Sequence, residues 1–99
     1  MNKKLFIEFF GTYFLVLIIG LTSGNPLAVG FGLVVLVYCG AHISGAHYNP
    51  AVTLAMLIQK EISVVDSFKY FFSQILGSTL AALSIYLMKS NMQVQPVLG

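Results

Sequence analysis

The residues that could do chemistry are concentrated between His42 and Leu57, in a chain that is otherwise almost entirely apolar. Gly45 and Ala46 let the backbone turn there and approach another molecule closely. His42 and His47 are five residues apart with no carboxylate or cysteine nearby, so they form a poor metal site. The chain has no nucleophile–base pair and no phosphate-binding loop, which argues against an enzyme and against a bound cofactor.

Asn49 and Pro50 predict the start of a short helix. The asparagine side chain can accept a hydrogen bond from a first-turn amide, and proline suits the first helical position. Residues 51–57 continue the helix toward Lys60, giving about nine residues or roughly 13 Å, which is half of a ~30 Å hydrocarbon layer. The preceding carbonyl groups, from Gly45 to His47, then face whatever fills the adjacent cavity. The alternative is that Asn49 and Pro50 mark an ordinary capped helix start in a cytoplasmic loop, which has the same sequence pattern.

The composition identifies a membrane protein. The 99 residues are 58% hydrophobic and only 8% charged, whereas soluble domains carry about 25% charged residues. The net charge of +2 comes from five lysines and is too weak to suggest nucleic-acid binding. Cys39 is the one cysteine and excludes an internal disulfide.

Apolar runs predict three transmembrane helices, over residues 5–22, 27–41 and 64–89, within a single domain. A signal peptide would resemble the first run, but the run is long, contains Glu8 and lacks a clear cleavage site. Residues 42–58 lie between two spanning runs, and hydrocarbon tolerates irregular backbone only where it is buried in protein or lines a wet cavity. We therefore expect an all-α membrane protein with three transmembrane helices plus one re-entrant half-helix.

The lysines predict the orientation. With the N-terminus in the cytoplasm of a multi-pass cell-membrane protein, four lysines face the cytoplasm and only Lys89 lies outside. The four are Lys3, Lys4, Lys60 and Lys69.

Two polar side chains on the apolar runs need partners. Glu8 lies about one turn inside the membrane edge, where it either snorkels to the headgroups or faces inward to the amides of the re-entrant loop. Gln74 is either a helix-packing contact or a brace for that loop.

Three segments together resemble one family, and the match covers nearly the whole chain. The motifs are Ile43-Ser44-Gly45-Ala46-His47-x-Asn49-Pro50-Ala51-Val52-Thr53, Glu8-Phe9-x-Gly11-Thr12-Tyr13 and Tyr70-x-x-x-Gln74-x-x-Gly77. In order and spacing they resemble the aquaporin and glycerol-facilitator family. The resemblance is to the first of the two inverted repeats from which that family is built, each with three spanning helices and one half-helix.

The resemblance implies a role for each motif residue. Asn49 would donate its amide to a passing water or small neutral polyol, while Pro50 and Ala51 would stack against a second Asn-Pro-Ala motif. The carbonyls of Gly45, Ala46 and His47 would form a ladder of acceptors along one pore wall.

Other residues would shape or support the pore. Glu8 would be the family's buried glutamate that holds the loop, and Val29 would fall in the selectivity region. Valine there departs from the aromatic residue common in the family and leaves the choice between water and polyol open. His42, which flanks the loop, and Gln74 are predicted from their own positions to support the loop as well.

The second Asn-Pro-Ala motif and the arginine that follows it in the family are absent from these 99 residues. The resemblance therefore implies a partner half-repeat, as a longer parent chain, a separate chain or an antiparallel second copy, and the lysine bias opposes the last. The family usually forms tetramers of pores. Two other functions stay open: a proton-coupled small multidrug transporter that uses Glu8, and a non-conducting remnant or assembly partner.

Overall fold

The computed structural model of the chain describes the backbone of residues 1–98 and the side chains of residues 1–91. Within residues 1–98 all regular structure is helical, in the order α1 (Asn2–Leu21), α2 (Pro26–Ser44), α3 (Pro50–Ile58) and α4 (Val64–Leu98). Three of these helices are long and apolar enough to cross a membrane, and α3 has nine residues. The predicted class, an all-α membrane protein with three spanning helices and a half-helix, is confirmed.

The long helices continue beyond the apolar runs that predict them. The predicted end of the second helix at residue 41 moves to Ser44, because the first residue in a left-handed conformation there is Gly45 with φ of 88°. At its other end Asn25 caps α2 by accepting a hydrogen bond from the amide of Ala28 at 3.0 Å. The last helix extends to Leu98 instead of 89, since no glycine or proline interrupts residues 89–95.

Small side chains set the distance between neighbouring helices. Helix α1 packs against both α2 and α4, and α3 packs on α4. A Cβ atom placed on Gly77 of α4 would lie 2.5 Å from the carbonyl oxygen of Phe9, so the two backbones are already in contact. On the other side of α1, a Cβ atom on Gly32 would lie 2.6 Å from Cδ1 of Ile18. A larger residue at Gly77 would push α1 and α4 apart, whereas at Gly32 the Ile18 side chain could change rotamer to make room.

The interior of the described structure is polar and its exterior is apolar. The buried polar or charged residues are Glu8, Thr12, Ser44, Thr53, Ser67, Ser73 and Gln74, and the hydroxyl-bearing side chains of Tyr48 and Tyr70 are buried with them. Large apolar side chains lie outside instead, including Phe6, Leu27, Phe31, Phe68 and Phe72. An apolar exterior suits contact with hydrocarbon, and polar groups enclosed within it must satisfy one another.

Candidate functional site

The turn at residues 45–49 joins α2 to the half-helix α3 and has an unusual backbone. Besides Gly45, the non-glycine residues Ala46 and Tyr48 adopt left-handed conformations, with φ of 54° and 56°. Such conformations each cost on the order of 1–3 kcal/mol and persist only where the surroundings hold them. The turn is held by hydrogen bonds that its backbone N–H groups donate to buried side chains.

Glu8 of α1 is the anchor of this turn. Its Oε2 accepts hydrogen bonds from Ser44 Oγ at 2.7 Å and from the His47 amide at 3.1 Å. Its Oε1 accepts from the Tyr48 amide at 2.8 Å and from Gln74 Nε2 at 2.9 Å. The side chain is fully buried. Four donors therefore surround one carboxylate, as in the anion-binding concavities formed by successive backbone amides.

Gln74 of α4 extends the network to the half-helix. Its Nε2 donates to Thr53 Oγ1 at 2.9 Å as well as to Glu8, and Thr53 Oγ1 lies 2.9 Å from His47 Nδ1. The opposite orientation of the Gln74 amide would place its oxygen against the carboxylate, which would be repulsive. In the orientation adopted, Gln74 Oε1 has no hydrogen-bond partner among the residues with described side chains. One glutamine thus connects α1, α3 and α4.

Ser44 and Tyr70 secure the start of the turn. The Ser44 hydroxyl accepts a hydrogen bond from the Ala46 amide at 3.1 Å, and the Tyr70 hydroxyl donates to the Ser44 carbonyl oxygen at 2.7 Å. The Tyr70 ring also packs against the His47 ring, with centroids 4.9 Å apart. Every helix therefore contributes at least one bond to the turn or its supports.

The other side of the turn presents unpaired polar groups. Within the part of the chain that the structure describes, the carbonyl oxygens of Gly45, Ala46 and His47 accept no hydrogen bond. Asn49 is exposed, and its Oδ1 accepts the Ala51 amide at 2.8 Å, so its Nδ2 is left as a donor. Three acceptors and one donor within five residues of one turn can bind small neutral molecules that carry hydroxyl groups.

Two residues predicted for the site lie away from this network. His42 is exposed on α2, and no hydrogen bond joins its ring to the rest of residues 1–91. The turn is instead held by Ser44, because a step of two residues rotates a helical side chain by about 200°. Val29 is half-buried near the start of α2, about 22 Å along the helix axis from Ser44.

Four residues of the network do not stand out among the predicted site residues: Ser44, Tyr48, Thr53 and Tyr70. Thr53 had a usable signal, because it is the one residue with a polar side chain within the nine-residue α3. For Tyr48 the sequence signal is weaker. It consists of the glycines on neighbouring helices, which leave space for a ring of this size. Ser44 and Tyr70 stand in the motifs that carry the family resemblance, but their residue types alone do not indicate which backbone groups they bond.

Replacing Thr53 with Val should lower the free energy of unfolding by about 1–3 kcal/mol, because Val keeps the shape but leaves a buried N–H of Gln74 without its acceptor. Denaturant unfolding in detergent micelles measures this. Thr22→Val is the matched control, since the Thr22 hydroxyl bonds only the Ile18 carbonyl of its own helix. The control should change the free energy by less than about 0.5 kcal/mol. Equal losses in the two variants would contradict the network.

Comparison with known proteins gives consistent similarities. Residues 21–98 match the family model described as Major intrinsic protein. The chain is 40% identical to glycerol uptake facilitator protein-like 6 of Lactiplantibacillus plantarum, covering 84% of this chain and 42% of that protein. It is 37% identical to aquaporin NIP1-1 of Arabidopsis thaliana, over 87% of this chain and 33% of that protein. It is 40% identical to the human lens fiber major intrinsic protein, over 85% of this chain and 36% of that protein. The chain thus spans less than half the length of these relatives.

Proposed function

This chain belongs to the major intrinsic protein family, and on that premise we propose that it forms half of a passive membrane channel for water, small neutral polyols such as glycerol, or both. The turn at residues 45–49 carries the proposal. Glu8 takes up amides of the turn on one side, which leaves carbonyl oxygens and Asn49 Nδ2 for a ligand on the other. A row of acceptors and a donor can replace, step by step, the hydrogen bonds that a hydroxylic molecule makes in water.

Electrostatics of the half-helix favour neutral solutes. The N-terminus of α3 carries about half a positive charge from its aligned peptide dipoles, and it begins beside Asn49. A second half-helix meeting it would double this potential at the pore centre, which disfavours cations and fixes the orientation of a passing water. In this proposal Pro50 and Ala51 stack against the second motif. Val29 narrows the path near the other end of α2, and the partner half decides between water and polyol.

The proposed placement has the turn at mid-bilayer in a multi-pass cell-membrane protein with a cytoplasmic N-terminus. Lys4 and Glu61 line the same polar cavity, so the start of α1 and the α3–α4 connection lie at one end of the molecule. Lys3 and Lys60 are next to them in sequence. Grouping of lysines at one end supports a cytoplasmic location for that end.

A second half-repeat would complete the pore. Beside Asn49 an open apolar groove runs between α3 and α4, lined by Pro50, Ala51, Leu54, Phe68, Phe71 and Ile75. An apolar wall next to unpaired carbonyls calls for a protein partner there, since lipid would leave each carbonyl unsatisfied at several kcal/mol. The partner half is the rest of a longer chain, a separate chain or an antiparallel second copy, and the lysine distribution favours the first two. Four such pores would form a tetramer.

The alternative of a proton-coupled small multidrug transporter is opposed by the surroundings of Glu8. A coupling carboxylate has to exchange protons with water and release its partners during transport. Glu8 is fully buried and accepts four hydrogen bonds, two of them from backbone amides of the turn. The other alternative, a non-conducting remnant, is tested by the following experiment.

A chimeric protein tests the channel proposal. This chain replaces the matched segment of the Lactiplantibacillus plantarum relative, and stopped-flow light scattering follows proteoliposomes challenged with sucrose and then glycerol. We expect volume changes faster than in empty vesicles. Asn49→Leu should slow the conducted solute about tenfold, the effect of losing one hydrogen bond of about 1.4 kcal/mol at a barrier.

Two controls complete the design. Asn2→Leu changes an exposed asparagine at the start of α1 and should leave the rates unchanged. This chain alone in the same assay separates the arrangements: faster shrinkage indicates self-assembly into a pore, and no change indicates a different partner half. A folded, membrane-inserted chimera with the permeability of empty vesicles would overturn the channel proposal and support the remnant.

A further inference from the structure

Tyr48 fills a space that two glycines leave open. Its side chain is 3% exposed and lies between α1 and α2. A Cβ atom on Gly11 of α1 would overlap the Tyr48 ring, and one on Gly40 of α2 would overlap its hydroxyl oxygen. The ring is thus enclosed from both sides, with no room to change rotamer without moving a helix backbone.

Tyr48 is also bonded at both of its ends. Its backbone N–H donates to Glu8 Oε1 at 2.8 Å, while its hydroxyl donates to the Leu36 carbonyl oxygen at 2.7 Å. Leu36 lies eight residues before Ser44, about 12 Å back along α2. The backbone is therefore tied to α1 and the ring tip to the middle of α2. Two fixed points determine how far the turn reaches into the molecule and how it is rotated.

We propose that Tyr48 is a positioning residue of the permeation path. By holding the left-handed backbone at position 48, it sets the location of Asn49 Nδ2 and of the carbonyl oxygens just before it. The permeation path itself rests on the proposed function above. A ring that merely filled space would stabilise the whole bundle, whereas a positioning ring stabilises the turn in one particular place.

Tyr48→Phe separates the two roles, because it keeps the ring and removes the bond to Leu36. We expect amide hydrogen exchange, measured by NMR in detergent micelles, to become about fivefold faster at positions 47 and 48. Exchange over residues 73–81 of α4 should not change. Tyr38→Phe is the control, since Tyr38 is 86% exposed on α2, and it should alter neither region. Unchanged exchange at positions 47 and 48, or a uniform increase in both regions, would overturn the proposal.

Paired substitutions give a second, independent test. Gly40→Ala should disrupt the turn because its methyl group meets the Tyr48 hydroxyl, and Tyr48→Phe should partly restore protection at position 47 in that background. Tyr48→Phe should not restore protection at position 47 in the Gly11→Ala variant, because that methyl group meets the ring itself. Rescue of both glycine variants, or of neither, would show that the hydroxyl does not fix the turn.

The chimera provides the functional measurement. Tyr48→Phe should change its ratio of glycerol to water permeability by about twofold or more, with the amount of inserted protein unchanged. An unaltered ratio in a conducting chimera would refute the positioning role. A chimera that conducts nothing would refute the channel proposal instead, and the exchange data would then still decide whether Tyr48 fixes the turn.

Discussion

Replacing Glu8 with Gln should release the turn at residues 45–49 and lower the free energy of unfolding by at least about 3 kcal/mol. A carboxylate can accept from all four of its donors, but a carboxamide has one oxygen and one NH₂ group. The change also makes every bond to this side chain neutral, and neutral hydrogen bonds are weaker than those to a carboxylate. With the new NH₂ group at the position of either oxygen, the backbone amide of His47 or of Tyr48 faces another donor in a fully buried site, because the Ser44 hydroxyl and the Gln74 carboxamide can reorient but a backbone amide can only donate. Each such lost acceptor costs about 1–3 kcal/mol.

Denaturant unfolding and amide exchange in detergent micelles measure this effect. Exchange at positions 47 and 48 should rise more than in any other variant described above. Glu61→Gln provides the same chemical change at an exposed position and should shift stability by less than about 0.5 kcal/mol. A Glu8 variant with the stability and loop protection of the native chain would mean that the carboxylate is not the anchor of the turn.

Replacing Gly77 with Leu should separate α1 from α4 and cost about 3 kcal/mol or more. The hypothetical Cβ atom meets backbone, at 2.5 Å from the Phe9 carbonyl oxygen and 3.2 Å from the Tyr13 nitrogen. Backbone atoms cannot rotate aside as a flexible side chain can, so relief requires moving a whole helix. Overpacking of this kind costs typically 1–3 kcal/mol, and more when nothing yields.

The separation should also weaken the turn, because Gln74 lies one helical turn from Gly77 and would be drawn away from Glu8. Gly30→Leu is a suitable comparison, since a Cβ atom on Gly30 has no neighbour within 4 Å. It should retain native stability within about 1 kcal/mol. Similar behaviour of the two leucine variants would indicate that α1 and α4 do not require close backbone contact.

The fold could be predicted because local rules specify it. Three apolar runs of membrane length leave few alternatives to spanning helices, and Asn49 followed by Pro50 encodes a helix start within a segment too short to cross the bilayer. Those signals act over a few residues and do not depend on how the helices pack. The half-helix is thus evident before any tertiary structure is known.

The composition of the site could be predicted only in part. Glu8 and Gln74 are conspicuous as polar residues on apolar helices, yet that they bond each other depends on the register of α1 against α4. In the observed register Gly77 lies against the backbone of Phe9, and the sequence of neither helix alone specifies which residues of the other helix it meets. His42 is predicted to support the loop because it flanks the loop in sequence, whereas the position of the helix end at Gly45 makes Ser44 the residue that reaches the turn.

The Glu8 network also constrains how the chain is made. On the ribosome, Glu8 is synthesised 66 residues before Gln74 and 36 before Ser44, so its helix enters the bilayer while every one of its eventual donors is still missing. A carboxylate in hydrocarbon without donors is unfavourable. We therefore expect α1 to stay near the insertion machinery or the lipid headgroups until α2 and α4 emerge, and to take its final place only when Ser44 and Gln74 can donate to Glu8.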